Sequence, residues 1–243
     1  MSEDLLSLRM LMVGAPPADC ALWARSVMRA SVPIEFFSVD AVGSGMLHGG
    51  LDIVVVDAGL SQSASAAVVQ AARTLRPTPL VMLCGAQASA RPSGVDGLLP
   101  RPTGLEEARR LADLCVKACL PKRVLVVDDS STMRSIVRKT LSGSRFRLEV
   151  EDSSDGETAL VQVRSGRFGL VFLDYNMPGF NGIETLKEIR RQREEVAVVL
   201  ITSSLDAALA DRARAAGAFA FLKKPFYPAD IDAILERYFG LNG

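Results

Sequence analysis

Asp128 and Asp129 stand side by side after the apolar run Arg123–Val127, and Asp174 closes a second run, Leu170–Leu173. Thr202 and Ser203 end the run that begins at Val196, and Lys223, Lys224 and Pro225 follow Ala218–Leu222. Short continuous apolar runs of this kind read as strands buried on both faces. Three acids, a hydroxyl and a lysine therefore meet at the ends of four strands. Three carboxylates on one edge repel each other, and a hard divalent cation resolves the conflict. Mg²⁺ takes oxygen ligands in octahedral geometry and keeps several waters. Asp129 and Asp174 are the expected direct ligands, with Asp128 acting through water and the backbone carbonyl of Asn176 completing the protein's share. A carboxylate beside such a cation is also a nucleophile toward phosphorus. Phosphoryl transfer needs alignment and neutralisation of the equatorial oxygens more than covalent help. The Lys224 ammonium and the Thr202 hydroxyl are suited to that. Lys223, by strand alternation, points to the opposite face.

The elements that must carry these residues alternate. In the second half the pattern predicts helices over Ser131–Leu141, from Asp155 to Gly166, and over Gly182–Arg193, Leu205–Ala216 and Asp230–Phe239. It predicts strands over Arg123–Val127, Arg147–Val150, Leu170–Leu173, Val196–Thr202 and Ala218–Leu222. The first half repeats the plan, with strands over Arg9–Val13, Ile34–Val39, Asp52–Val56, Leu80–Leu83 and Gly97–Leu99. Helices lie between them, Ala18–Ala30 and Ala64–Leu75 the clearest, and Glu106–Leu120 closes that half. Strands alternating with helices imply parallel sheets covered on both faces, with ligands at the carboxyl ends of the strands. The expectation is an α/β chain of two domains, 1–120 and 121–243, joined through Pro121 without a flexible linker.

Four segments, VLVVDDSSTMRSIVRKTL, LVFLDYNMPGFNGIETL, VVLITSS and AFLKKPF, resemble the signature segments of two-component response-regulator receiver domains. The first is especially similar to the chemotaxis type. The resemblance covers about half of the chain and implies two flavodoxin-like (βα)5 domains with doubly wound sheets, in tandem. It makes Asp174 the phospho-acceptor, Asp128 and Asp129 the acidic pair that holds Mg²⁺, Thr202 the switch hydroxyl, Lys224 the phosphate-binding lysine and Phe221 the aromatic switch. It makes Asn176 and Ser204 the positions that tune the phosphoryl lifetime. Asn181 stands where an Asp is common. The family's partners would be a histidine kinase or a histidine phosphotransfer protein and a downstream protein, and a homodimer is compatible with the pattern. Plainer readings exist for each piece: Asp128-Asp129 as an N-cap region before Ser130, Asp174 as a turn former, Phe221 as core.

On the same plan the first half has lost the chemistry. Gly14-Ala15 replaces the acid pair, Asp57 stands where Asp174 does, Cys84 replaces Thr202, and Arg101-Pro102 replaces Lys224-Pro225. Arg101 is expected to pair with Asp57 where the cation would be. This half reads as a pseudo-receiver that docks, dimerises or gates.

Lys plus Arg and Asp plus Glu are 28 each, with no basic run, so the electrostatic footprint of a nucleic-acid binder is missing. No apolar run is long enough to span a bilayer. Met1–Leu8 has no basic region of a secretory signal. Cys20, Cys84, Cys115 and Cys119 lack zinc or redox spacing and read as thiols in a reduced, cytoplasmic setting. His48, the single histidine, lies in a Gly-rich stretch and reads as a loop residue rather than a phosphoryl donor. Two other functions stay open: an adaptor that is never phosphorylated, and a Mg²⁺-dependent aspartate-nucleophile phosphatase. Against the phosphatase, the expected nucleophile follows the third strand, where an Asp-x-Asp enzyme carries it after the first.

Overall fold

Residues 7–40, 50–86, 91–179, 181–204 and 207–241 are described by the computed structural model. His48 lies outside them. In the first half the elements are β1 (Leu8–Val13), α1 (Pro17–Val27), β2 (Ile34–Val39), β3 (Ile53–Asp57), α2 (Gln62–Thr74), β4 (Leu80–Cys84), β5 (Gly97–Leu99) and α3 (Leu105–Cys119). All strand pairs are parallel, in the order β2-β1-β3-β4-β5. The central strands β3 and β4 are buried at every residue, which is why they read as unbroken apolar runs. Trp23 on α1 is fully buried, and α1 packs beside α3. Among the described residues, helices join β1 to β2 and β3 to β4 as expected. The crossover from β4 to β5 holds no helix among its described residues. Its composition explains this, because Gly85, Pro92 and Gly94 break any helical stripe, and Gly85 and Gly94 adopt positive φ.

The second half continues with β6 (Lys122–Val127), α4 (Ser131–Ser142), β7 (Leu148–Ser153), α5 (Gly156–Ser165), β8 (Phe168–Asp174), α6 (Gly182–Gln192), β9 (Ala197–Thr202), α7 (Ala207–Ala215), β10 (Ala220–Lys223) and α8 (Pro228–Phe239). The sheet, again all parallel, has the order β10-β9-β8-β6-β7. Its core interdigitates Leu125 and Val127 of β6, Val171 and Leu173 of β8, and Val198 and Leu200 of β9 with Val163, Leu186, Ile189 and Leu209 of the helices. Burying one such Leu fully is worth roughly 2 kcal/mol.

Contacts divide the chain into two units. Met1–Leu120 forms the first and Pro121–Leu235 the second, and the residues from Glu236 onward group with the first. The sequence reading assigned those last residues to the second domain. Inside the first unit the Leu98 N–H donates to the Leu241 carbonyl at 3.4 Å, a backbone contact that no side-chain pattern announces.

Two features of the second unit place the site. Strand order reverses between β6 and β8, so the chain departs to opposite sides of the sheet and leaves a crevice at their carboxyl ends. The start of α6 is then pinned beneath Asp174. Asn181 accepts from the N–H groups of Ile183 and Glu184, and Glu184 reaches back to the Asn181 N–H, a complete capping box. A Cβ on the next residue, Gly182, would lie 2.5 Å from the Asp174 carbonyl and 2.7 Å from the Tyr175 Cα. Only glycine lets α6 begin so close to the strand end.

Candidate phospho-acceptor site

β6 ends at Val127, and the chain turns out of the sheet through Asp128 and Asp129. The Asp128 carboxylate is fixed in that turn because Oδ1 accepts the Ser130 N–H at 2.9 Å. Asp174 is the last residue of β8 and repeats the arrangement, with Oδ2 accepting the Asn176 N–H at 3.0 Å. Lys224, just past β10, spans the two acids. Its Nζ lies 3.0 Å from Asp128 Oδ2 and 2.8 Å from Asp174 Oδ1. Thr202 ends β9 fully buried. Its carbonyl accepts the Lys224 N–H at 2.7 Å, and its Oγ1 accepts the Ser204 N–H at 3.0 Å. One oxygen from each of Asp128, Asp129 and Asp174 lies within 4.8 Å of the others. The all-oxygen donor set suits a hard divalent cation. Asp128 and Asp174 are buried, whereas Asp129 opens to solvent.

Burial is the main influence on Asp174 and raises its pKa. Lys224 pulls the other way without cancelling it, and the neighbouring Asp128 charge adds to the rise. Burial also acts on Lys224, to lower its pKa, but hydrogen bonds to Asp174 and Asp128 outweigh it and the ammonium is held charged. The site is thus a desolvated pair of acids compensated by one cation, with a third acid at its rim.

Other residues singled out from the sequence fall nearby or apart. Asn176 turns its side-chain amide to Ser203 Oγ at 3.4 Å, so the loops after β8 and β9 touch through this pair. Phe221 on β10 is half-buried against the core cluster. Lys223 is exposed.

The corresponding edge of the first unit is built differently. Gly14, following β1, has φ +75°, and a Cβ there would run into Leu60 at 2.5 Å. Asp57 ends β3 buried, with its Oδ1 accepting the Gly59 N–H at 2.7 Å. Arg101 Nη2 donates to both Asp57 oxygens, at 2.9 and 2.8 Å, and Nη1 pairs with Asp19. Asp19, on α1, was not foreseen. Cys84 is buried in the place of the hydroxyl, its Sγ 3.7 Å from the Pro100 carbonyl. Burial, reinforced by Asp57 and opposed by Arg101, pushes its thiol up to about 12. Arg101 thus bridges Asp57 and Asp19, as Lys224 bridges Asp174 and Asp128 in the second unit.

Residues 124–236 match the response regulator receiver domain model. The chain is 37% identical over 119 residues to chemotaxis protein CheY-3 of Vibrio cholerae, covering 48% of this chain and 91% of that protein. The chain belongs to the response regulator receiver family. A second relative, the cyclic di-GMP phosphodiesterase response regulator RpfG of Xanthomonas campestris, is 32% identical over 138 residues, 56% of this chain and 36% of its own length. A solved structure described as a probable two-component system response regulator/GGDEF domain protein aligns over 96% of this chain and 98% of its own. Its TM-score is 0.58 at 23% identity, a likeness of fold that includes both units. The tandem receiver fold read from the repeat is therefore present, and the second receiver is similar to a chemotaxis-type receiver. No helix among the described residues is long and apolar enough to cross a membrane.

One residue beside the receiver site escaped the sequence reading. Arg134, on the first turns of α4, donates from Nη1 to the carbonyls of Asp128 and Asp129 at 2.7 and 3.3 Å. A signal was present, since an arginine near a helix N-terminus is disfavoured by the helix dipole and so points to a local carbonyl or carboxylate partner.

Proposed function

We propose that the chain is a phosphorelay response regulator whose second receiver takes a phosphoryl group on Asp174. The donor is a phosphohistidine of a histidine kinase or phosphotransfer protein. The Asp174 carboxylate attacks phosphorus, the P–N bond breaks, and the imidazole leaves with the bonding pair and takes up a proton. Later attack by water releases inorganic phosphate and restores the carboxylate. The observation that carries this reading is the convergence of Asp128, Asp129, Asp174 and Lys224 at the carboxyl ends of three parallel strands. The three acids would hold Mg²⁺, with Asn176 offering a backbone carbonyl. Bound there, the cation would neutralise charge on the transferring oxygens. Lys224 already lies 2.8 Å from the acceptor carboxylate and supplies the remaining point charge. The Thr202 hydroxyl donates to the phosphoryl group in the loaded state. Phe221, half-buried, moves into the space that Thr202 leaves. That repacks the face formed by α7, β10 and α8, and a partner protein reads the change. Asn176 and Ser204 flank the path of the attacking water and set the lifetime.

The first receiver takes no phosphoryl group in this reading, because Arg101 neutralises Asp57 and Gly14 and Ala15 offer no cation ligands. It serves docking, dimerisation or gating, in the cytoplasm with its kinase.

The test is incubation with Mg²⁺ and a small acyl-phosphate donor, followed by separation on a phosphate-retarding gel. A retarded band is expected in the unaltered protein and in Asp57→Asn, and absent in Asp174→Asn. A band that survives in Asp174→Asn and disappears in Asp57→Asn reverses the two receivers' roles. No band in any form, with no Mg²⁺ uptake, favours the adaptor. Steady turnover of a generic phosphomonoester favours the phosphatase.

A further inference from the structure

Of the three acids at the site, two have their carboxylates held. Asp128 is fixed by the Ser130 N–H and Lys224, and Asp174 by the Asn176 N–H and Lys224. The Asp129 carboxylate has no hydrogen bond or ion pair among the described residues, and it is exposed. What aims it is its backbone. The Asp128 carbonyl lies in the peptide plane before the Asp129 Cα, and the Asp129 carbonyl in the plane after it. Arg134 Nη1 donates to both, at 2.7 and 3.3 Å. Each peptide unit is planar, so holding the two planes holds φ and ψ of Asp129 and with them the direction of its Cα–Cβ bond.

The arginine is itself anchored. Its Nε lies 2.9 Å from Asp152 Oδ2 on β7, and Asp152 stands opposite Val126 of β6 in the sheet register. Arg138, one turn further along α4, pairs with the other Asp152 oxygen. The Arg134 side chain is only 18% exposed. The fork is therefore fastened to the sheet at one end and to the acid turn at the other.

We propose that Arg134 is a positioning residue that aims the Asp129 carboxylate at the bound cation. The inference rests on the second receiver's acids taking a divalent cation. It has a sign that separates it from simple electrostatics. A guanidinium near a cation site repels the cation, so a pure charge effect makes Arg134→Met bind Mg²⁺ more tightly. Loss of aim makes the same variant bind more weakly.

The experiment is a calorimetric titration of the full chain with MgCl₂ alone, without phosphoryl donor. Arg134→Met is expected to weaken binding about fivefold or more. Arg134→Lys keeps the charge but lacks the fork, and is expected to weaken binding at least about twofold. Lys139→Met, which removes an exposed positive charge from the same helix and touches neither the carbonyls nor Asp152, stays within about twofold of the unaltered protein. Arg134→Lys preserves the charge and most of the packing, so it carries the test should Arg134→Met fail to give a folded circular dichroism spectrum. Equal or tighter binding in Arg134→Lys, or in a folded Arg134→Met, overturns the proposal while leaving the cation site in place. An unaltered protein that takes up no Mg²⁺ overturns the site reading and the role of Arg134 together.

Discussion

Lys224 decides how the second receiver tolerates its own acids. Asp128 and Asp174 are 3% and 4% exposed at the side chain and share one ammonium. Removing that ammonium leaves two buried carboxylates facing each other, a loss on the order of 2 kcal/mol. In the absence of divalent cation, Lys224→Met is therefore expected to lower the thermal midpoint of the second receiver, read by circular dichroism. Adding Mg²⁺ should raise that midpoint more in the variant than in the unaltered protein, because the cation then takes over the compensation that Lys224 gives to Asp128 and Asp174. An unchanged midpoint without Mg²⁺ would mean that the acids are better solvated than their burial indicates. Each of the three residues involved was visible in the sequence as a polar residue after an apolar run. That the lysine joins Asp128 to Asp174 was not, since hydrogen bonds between residues 96 and 50 positions apart leave no local pattern.

α6 shows how an element can hold Asp174, the proposed acceptor, without placing a side chain in the site. Its capping box at Asn181 and the absence of a Cβ at Gly182 let its first turn lie against the Asp174 carbonyl. Asn181→Ala removes the cap and is expected to cost about 1 kcal/mol, measured by urea unfolding, with phosphorylation of Asp174 retained. Gly182→Ala should cost more, about 1–3 kcal/mol, and should also slow acyl-phosphate labelling, because the new methyl group presses on backbone that cannot swing away. A Gly182→Ala protein that labels at the unaltered rate would show that the strand end tolerates displacement. The cap is legible in the sequence as Asn three residues before Glu. The contact at Gly182 is not, because it depends on where α6 lands on the sheet. The same limit applies to the crossover between β4 and β5: its two glycines and its proline were visible, yet the repeat of the plan suggested a helix that the described residues do not form.

At the scale of the whole chain, the two receivers share a topology and differ in what their strand ends contain. The first buries Cys84 and Cys115 fully. Burial raises both thiols, Cys84 to about 12 from an ordinary value of 9. A group whose folded pKa lies above its unfolded value stabilises the fold fully below the unfolded value. That contribution fades as pH rises toward the folded one, because the unfolded chain releases its protons first. The first receiver should therefore lose stability between about pH 9 and pH 12, by up to about 1.4 kcal/mol per pH unit per thiol. Trp23 is the only tryptophan and is fully buried in the first unit, so its emission in urea titrations at pH 7, 9 and 10 reads this directly. Cys84→Ser combined with Cys115→Ala should flatten the decline. A pH-independent midpoint in the unaltered protein would show that the thiols reach water in the folded state.

By itself the sequence determined the alternation of strands and helices, the repeat, the strand ends and the polar residues standing there. Those are consequences of local periodicity and of turn and cap chemistry, which act within a few residues. It also marked the first half as stripped of acids, since Gly14 and Ala15 are read directly. The tertiary structure decided the rest. Parallel pairing in the order β10-β9-β8-β6-β7 set Lys224 between two acids and laid Arg134 across the carbonyls of the acid turn, and pairing in the order β2-β1-β3-β4-β5 brought Asp19 as well to the Arg101 that the sequence had already matched with Asp57. Each of these depends on register and on the reach of a side chain across the sheet, quantities that only the folded chain defines.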